Sequence, residues 1–345
     1  MKIGYGLITC QRYPGDQRTA ADLYKEAIDL AKACEASGID SVWTSEHHFW
    51  DDDYMPSLLV MSAALAAATT SITIGTGVLL APLYHPIRLA EDAATVELIS
   101  GGRFVLGLGI GWRQEEFDRL GIAMENPGRR MSEIVKLLRL SWKNEAFTFD
   151  GKVYLFDKTN VTPKPSRPVQ IWIGGFADGA LRRAGRIGDG YLGSSSRRTA
   201  PVADEMKRRV KVVTEGLEKA GRNSGDFTFA FHEPVWVAED PEEEAEEILP
   251  HIHYSRWKYA DMGAEFGREP AADLPSPPPL DEDARTAILD GLILGTPQQV
   301  AERLRELQDA VGKDLHLIAR SYFPGIPHEK SLRQIELLGE VRKLL

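Results

Sequence analysis

Glu46, His47 and His48 stand together in the run SVWTSEHHFW (41–50), where a buried apolar strand gives way to polar residues. Two imidazoles that titrate near neutrality beside a carboxylate are the residue types that move protons in general acid–base chemistry. Strand alternation sends His47 and His48 to opposite sides, so one of them faces a ligand. An equally simple reading makes both hydrogen-bonded packing histidines. A metal-dependent hydrolase would need His251-x-His253 to meet the pair at one mouth, and the chain offers no convincing ligand set for a tetrahedral site. His251 and His253, next to Tyr254 and Trp257, are expected to line a substrate pocket or face solvent. Trp43, Trp50 and Trp112 are candidates for an apolar pocket wall, with core packing the simpler role for Trp43.

These residues must be held by a scaffold, and 345 residues with 43% hydrophobic and 27% charged side chains suffice for a large core. The net charge of −10 and the lack of a Lys/Arg-rich tract argue against nucleic acid as the main partner. No apolar stretch approaches a membrane span and the N-terminus enters a strand directly, so a cytoplasmic protein is expected. Cys10 and Cys34 are too few for a disulfide framework and are expected to be reduced.

Strands and helices alternate along almost the whole chain. Strands are predicted over 2–9, 41–44, 72–78, 103–109, 169–173, 190–193, 227–237 and 315–319, with helices over 20–37, 56–69 and 86–99 between the early ones. A two-stranded excursion over 147–156 should turn at Asp150-Gly151, and Thr296-Pro297-Gln298-Gln299 reads as a capping box before a helix. Eight strands in βα alternation favour a (β/α)8 TIM barrel, one domain over 1–345, whose active face is the C-terminal end of the strands. The segment 239–295, with its acidic helix PEEEAEEI and the run LPSPPPL, is too long for an ordinary connection between strand 7 and its helix. It is expected to be an elaborated loop over the mouth, a lid or an interface. Arg103, and Arg88 with Glu91, read as ion pairs away from the chemistry.

Several motifs in order carry a resemblance: SVWTSEHHF; ITIGTGVLLAPLYHPIRLAEDAATVELISGGRFVLGLGIGWRQEEFDRLG; PVQIWIGGF; IGDGYLGSS; and LGTPQQVAERL. Together they resemble the luciferase-like flavin-dependent monooxygenase family over nearly the full length. The resemblance implies a barrel holding a flavin or deazaflavin at its C-terminal face, a non-prolyl cis peptide at Gly77-Val78 under the ring, and His47 as catalytic base, with Glu46 orienting a histidine or the ring edge. It also implies oligomers, commonly dimers, packed through early helices such as LLVMSAALAAA. Luciferases place a cysteine near Gly109 and an arginine near Ile110, both missing here, which sets bioluminescence aside; Arg113 stands nearby.

Within that reading Gly107, Gly109 and Gly111 let a flat ring approach the backbone without Cβ collisions; GLGIGW lacks the spacing of a dinucleotide fingerprint. Gly174, Gly175, Phe176, Ala177, Asp178 and Gly179 lead into the helix ALRRAG, where N–H groups can face a phosphate. Ser194 and Ser195 add hydroxyls, with Arg197 or Arg198 supplying charge. Three functions follow. The first is a reduced-FMN-dependent monooxygenase acting on a small organic substrate and molecular oxygen, fed by a separate flavin reductase. The second is a hydride-transfer enzyme using the deazaflavin coenzyme F-420, a branch in which many members have Asp-His where this chain has Glu46-His47-His48. The third is a non-catalytic flavin-binding protein. No metal is expected.

Overall fold

Short apolar strands that are buried on both faces can be stable only when helices cover them, and this chain supplies a helix after almost every strand. The computed structural model describes residues 1–195, 200–264 and 274–345. Its elements run β1 (Lys2–Ile8), α1 (Ala20–Ala36), β2 (Ser41–Thr44), α2 (Leu58–Ala68), β3 (Thr73–Thr76), β4 (Leu79–Leu80), α3 (Pro86–Ser100), β5 (Phe104–Gly109), α4 (Gln114–Arg119) and α5 (Pro127–Ser141). A hairpin of β6 (Phe147–Asp150) and β7 (Leu155–Thr159) precedes β8 (Gln170–Gly174), α6 (Asp178–Ile187), β9 (Gly190–Gly193), α7 (Val202–Lys219) and β10 (Thr228–Val237). The chain ends with α8 (Pro241–Ala264), α9 (Glu282–Leu289), β11 (Ile293–Gly295), α10 (Pro297–Val311), β12 (Leu315–Arg320) and α11 (His328–Leu344).

Eight parallel strands close in the order β1-β2-β3-β5-β8-β9-β10-β12, and β12 returns to pair with β1 through Lys2 opposite His316. This is the (β/α)8 barrel expected from the strand count. Trp43, Trp172, Leu7, Val105, Leu192, Ala230 and Ile318 fill its interior, the two indoles stacked 5.1 Å apart. Trp43 is therefore core, and its Nε1 donates to Ser41 Oγ at 2.7 Å, which satisfies its polar atom. A second, larger cluster lies between the strands and the helices around them.

The glycines of β5 answer to this packing. A Cβ on Gly107 would lie 1.9 Å from the Thr76 carbonyl oxygen, and one on Gly109 would lie 2.5 Å from Val78 Cγ2. The room beside both is thus taken by β3 and the residues that follow it. Gly77-Val78 is cis, as is Gly6-Leu7.

Three local expectations need correction. The hairpin turns over 151–154 rather than in two residues, because the Glu133 carboxylate on α5 accepts the N–H groups of Lys152, Val153 and Tyr154. Arg103 is no ion pair. Its guanidinium donates to the carbonyls of Ala66, Thr69, Ile72 and Ser100 and so ties the end of α2 to the start of β5. Arg88 does pair with Glu91 and Asp92 on the exposed face of α3. The acidic helix after β10 does not end near residue 248 but continues through Pro250 to Ala264. Burial of Ile248, Leu249, Ile252 and Tyr254 outweighs the N–H that proline removes. The capping box forms: Thr296 Oγ1 accepts from Gln299 N, and Gln299 Oε1 from Thr296 N.

Because the Thr76 carbonyl cannot move without breaking β3, Gly107→Ala is expected to lower stability by about 1–3 kcal/mol or more through overpacking. Urea denaturation of the cofactor-free protein measures this; an unchanged midpoint would show that the strands can part.

Candidate active site

The C-terminal ends of β2 and β5 bring His47 and Glu116 together, although 69 residues separate them in sequence. His47 Nδ1 lies 2.8 Å from Glu116 Oε1, which also accepts the backbone N–H of His48 at 2.9 Å. Both side chains are buried. A carboxylate at Nδ1 fixes the tautomer with Nδ1–H, and Nε2 is then the ring atom that exchanges a proton. Among the described residues Nε2 has no hydrogen-bond partner. Glu116 Oε2 and Trp50 Nε1 are likewise buried without one. Unsatisfied polar atoms converging on one place mark where a ligand or ordered water belongs.

Four rings surround His47. Trp50 stacks on it at 4.6 Å, Tyr54 meets it edge-on at 5.0 Å, Tyr259 at 5.5 Å and Trp112 at 5.9 Å. Trp50 is thus a pocket wall, and Trp112, exposed at the rim, is a second. His47 and His48 lie beyond the end of β2, and His48 meets other partners: its Nε2 lies 2.9 Å from Glu46 Oε1 while Tyr84 donates to Glu46 Oε2 at 3.1 Å. Burial opposes a charge on His48, but the bond to Glu46 and its negative charge win, and the pKa of His48 is raised.

Helix α8 roofs this site. Tyr259 shares a 2.8 Å hydroxyl contact with Tyr54, and the Arg113 guanidinium donates to the carbonyls of Met262 on α8 and of His48. Lys258, with no exposed surface, pairs with Asp51 and with Asp261. Asp52 beside them accepts from Gln11 at 2.7 Å and from the Tyr254 hydroxyl at 3.2 Å. Burial raises the Asp52 carboxyl to about 6, against the pull of Gln11 and Lys258. His251 and His253 do not reach the site. Their ring nitrogens meet the carbonyls of Pro324 and Pro278. Among the described residues no group of three or more His, Cys, Asp or Glu is placed to hold a metal, and no helix is long and apolar enough to cross a membrane.

The opposite side of the mouth carries the cations. Gly174 ends β8, Gly175 has φ of 153°, and α6 begins at Asp178 after Ala177, which offers no side-chain cap. The first N–H groups of α6 therefore have no partner within the helix. Phe176 is exposed and lies beneath the Arg209 guanidinium at 5.0 Å. Arg209, itself buried, pairs with Glu205 and donates to the Ser194 carbonyl. The Ser195 hydroxyl donates to Glu233 Oε2 at 2.6 Å. Asp178 is held outward by Arg208 and Arg182. Arg197 and Arg198 lie outside the described residues. Between β9, β10, β12, α8 and α9 opens a cavity of about 710 Å³, lined by Ser194, His232, Glu233 and Arg320 among others. A wider cleft of about 940 Å³ on the outer flank of α8, α9 and α10 meets none of these groups.

Glu116, Tyr54, Tyr84, Tyr259, Lys258 and Arg209 escaped the sequence reading. Only Glu116 left a signal: acids at the start of a helix directly after a glycine-rich strand end sit on the active face of a barrel.

A family model described as luciferase-like monooxygenase matches residues 1–314. Over 250 residues the chain is 31% identical to an F420-dependent glucose-6-phosphate dehydrogenase of Kineococcus radiotolerans, a match that covers 70% of this chain and 69% of that protein. Over 162 residues it is 33% identical to the oxygenase component of the flavin-dependent trigonelline monooxygenase of Acinetobacter baylyi, 46% of this chain and 45% of that one. The crystal structure of monooxygenase RslO1 from Streptomyces bottropensis shares the fold, with a TM-score of 0.84 at 22% identity over 99% of this chain and 98% of that one.

The Asp52 carboxyl has its folded pKa above the 3.8 of an ordinary aspartate. The folded state then holds the proton more tightly, so the stability this group contributes is greatest at low pH and falls as pH rises through about 6. Asp52→Asn, which cannot ionise, is expected to gain thermal midpoint relative to wild type between pH 5 and pH 7. A gap that stays constant across that range would show that the carboxyl titrates normally.

Proposed function

The chain belongs to the luciferase-like monooxygenase family, a family of oxidoreductases, and we propose that it is the oxygenase component of a two-component system. In this reading it uses reduced FMN delivered by a separate flavin reductase and acts on a small organic substrate with molecular oxygen. The observation that carries this reading is His47, oriented by Glu116 through Nδ1, with Nε2 unpartnered among the described residues inside a ring of aromatic side chains. The residues present suit a flat, anionic cofactor. Glu116 Oε2 and Trp50 Nε1 are buried and unspent, Val78 stands half-buried after Gly77, and the start of α6 presents uncapped N–H groups.

When bound, reduced flavin would supply the electrons for oxygen activation. Gly174, Gly175, Phe176, Ala177 and Asp178 would hold the phosphate by backbone donors, with the Ser194 hydroxyl beside them, whereas Ser195 is spent on Glu233 and is not a donor to it. Gly77 and Val78 would form the wall beneath the ring, with Gly107 and Gly109 behind them making room for Thr76 and Val78. His47 Nε2 holds or releases a proton at the reacting face, and Glu116 stabilises the imidazolium that forms. Glu46 orients His48 and Tyr84. Helix α8, within the segment 239–295, acts as the lid: Tyr259, Lys258 and Met262 close the site over His47 and keep water from it, which oxygen chemistry requires. A homodimer is part of the proposal, since Val60 on α2 and Leu98 and Ile99 on α3 leave apolar surface exposed.

A second reading, hydride transfer with F-420, is favoured by the 31% identity to an F420-dependent dehydrogenase. There the same His47 would exchange a proton with the substrate.

Anaerobic titration with reduced FMN beside reduced F-420 separates the two. Tighter binding of FMN, with reoxidation in air slower than that of free reduced flavin, is expected. Preference for F-420 without such protection would move the assignment to hydride transfer, and binding of neither would end both. With the preferred cofactor, His47→Ala should reduce turnover by about 10²-fold or more while the thermal midpoint and cofactor affinity stay near wild type. Parallel losses of all three would make His47 structural.

A further inference from the structure

Arg320 ends β12 at the barrel mouth and lines the 710 Å³ cavity, yet its guanidinium makes no hydrogen bond or ion pair among the described residues. Its guanidinium lies over the Tyr259 ring, 5.8 Å from the centroid. A cation over an aromatic face leaves the guanidinium edge, with its N–H donors, unspent. A half-buried arginine in a cavity, with no anion to meet it, is a recognition group short of its ligand.

The surroundings narrow that ligand. His232, on the adjacent strand β10, lines the same cavity, and its ring also lacks a hydrogen-bond partner among the described residues. Burial and the charges of Arg320 and Arg209 push its pKa down, so it faces the cavity as a neutral imidazole with one N–H to donate. Glu233 and Asp290 are in the wall as well. Arg256 lines it too and donates to the Ala287 carbonyl, while Glu233 receives the N–H and hydroxyl of Ser195. Ile252, Ile288, Pro234 and Phe323 give the rest of the wall an apolar surface. The Tyr259 ring stands between Arg320 and His47, 5.5 Å from the imidazole centroid.

We propose that Arg320, with the His232 N–H beside it, is the anchor for the carboxylate of a substrate with an apolar body, held across Tyr259 from His47. The fork of the guanidinium matches a carboxylate through two parallel N–H donors, and the apolar wall receives the body. Tyr259, touching both groups, sets the span between the anchored end and the end that reacts. This deepens the functional reading above and rests on it for the identity of the reacting end, whereas the anion site itself can be measured without turnover.

Calorimetric titration of the whole protein with hexanoate and with hexanamide, equal in shape and different in charge, tests it. Wild type should prefer hexanoate by about tenfold or more. Arg320→Met should abolish the preference and Arg320→Lys should keep part of it, both with wild-type thermal midpoints and unchanged affinity for reduced FMN and reduced F-420. Should Arg320→Met fail to fold, Arg320→Gln and the lysine variant carry the comparison. Equal binding of acid and amide to wild type, no saturable binding of hexanoate, or a preference that survives in Arg320→Met would each overturn the proposal. So would a loss of cofactor affinity in the variants in place of hexanoate affinity, since the arginine would then hold the cofactor's phosphate. Hexanoate preference in a protein that binds neither cofactor would sink the functional reading and leave the anion site standing.

Discussion

The bond between Glu116 and His47 Nδ1 is the contact on which the site depends. One carboxylate oxygen joins the end of β2 to the helix that follows β5, since it takes both the imidazole proton and the His48 N–H. Without it, His47 could turn, and the chain after β2 would lose the acceptor that sets its path. Burying a carboxylate so deeply is costly unless hydrogen bonds replace its water. Here two are replaced on one oxygen, while the other oxygen is left facing whatever fills the site. The same arrangement that fixes the tautomer therefore also leaves a polar demand for a ligand.

A second constraint is the attachment of α8. Its first turns follow β10 directly and pack Ala245, Ile248 and Ile252 with Trp236, while its far end over the mouth is positioned by polar side chains. Lys258 is buried against Asp51 and Asp261, Tyr254 against Asp52, and Tyr259 against Tyr54. Removing either half of such a buried ion pair leaves an uncompensated charge, which is far more costly than the pair is stabilising. The attachment is consequently selective more than strong. It holds α8 in one register, with Tyr259 over His47 and Met262 carbonyl on Arg113. The rings around His47 come from β2's following loop, from the end of β5 and from α8, so the cage exists only when the roof is in place.

Much of the barrel was legible because periodicity reports it: the eight strands, the first three helices and the capping box at Thr296 all follow from local pattern. The site was legible where it was contiguous, as in Glu46, His47 and His48. Glu116 was not, because a pairing across 69 residues leaves no trace in spacing. Helix α8 was shortened at Pro250 by local propensity, which burial of Ile248 and Ile252 overrides. The β5 glycines were assigned to a ring's approach, whereas their nearest obligations are Thr76 and Val78. Sequence alone cannot separate a glycine that admits a ligand from one that admits a neighbouring strand.

Charges of both signs line each side of the mouth, but the group left unspent among the described residues differs: Glu116 Oε2 on the β2 and β5 side and the Arg320 guanidinium on the β12 side. On the β2 and β5 side Glu46 and Glu116 meet the histidines, while Asp51 pairs with Lys258 and Glu115 with Arg113. On the β9, β10 and β12 side, where Arg209 pairs with Glu205, burial first and then the charges of Arg320 and Arg209 depress the basicity of His232. Positive charge near His232 favours its neutral form. Tyr259 lies at the boundary and touches both sides, through the His47 ring and the Arg320 guanidinium. A molecule lying along that ring would have its charged end at Arg320 and its reacting end at His47, which fixes its direction before any contact with the apolar wall is made.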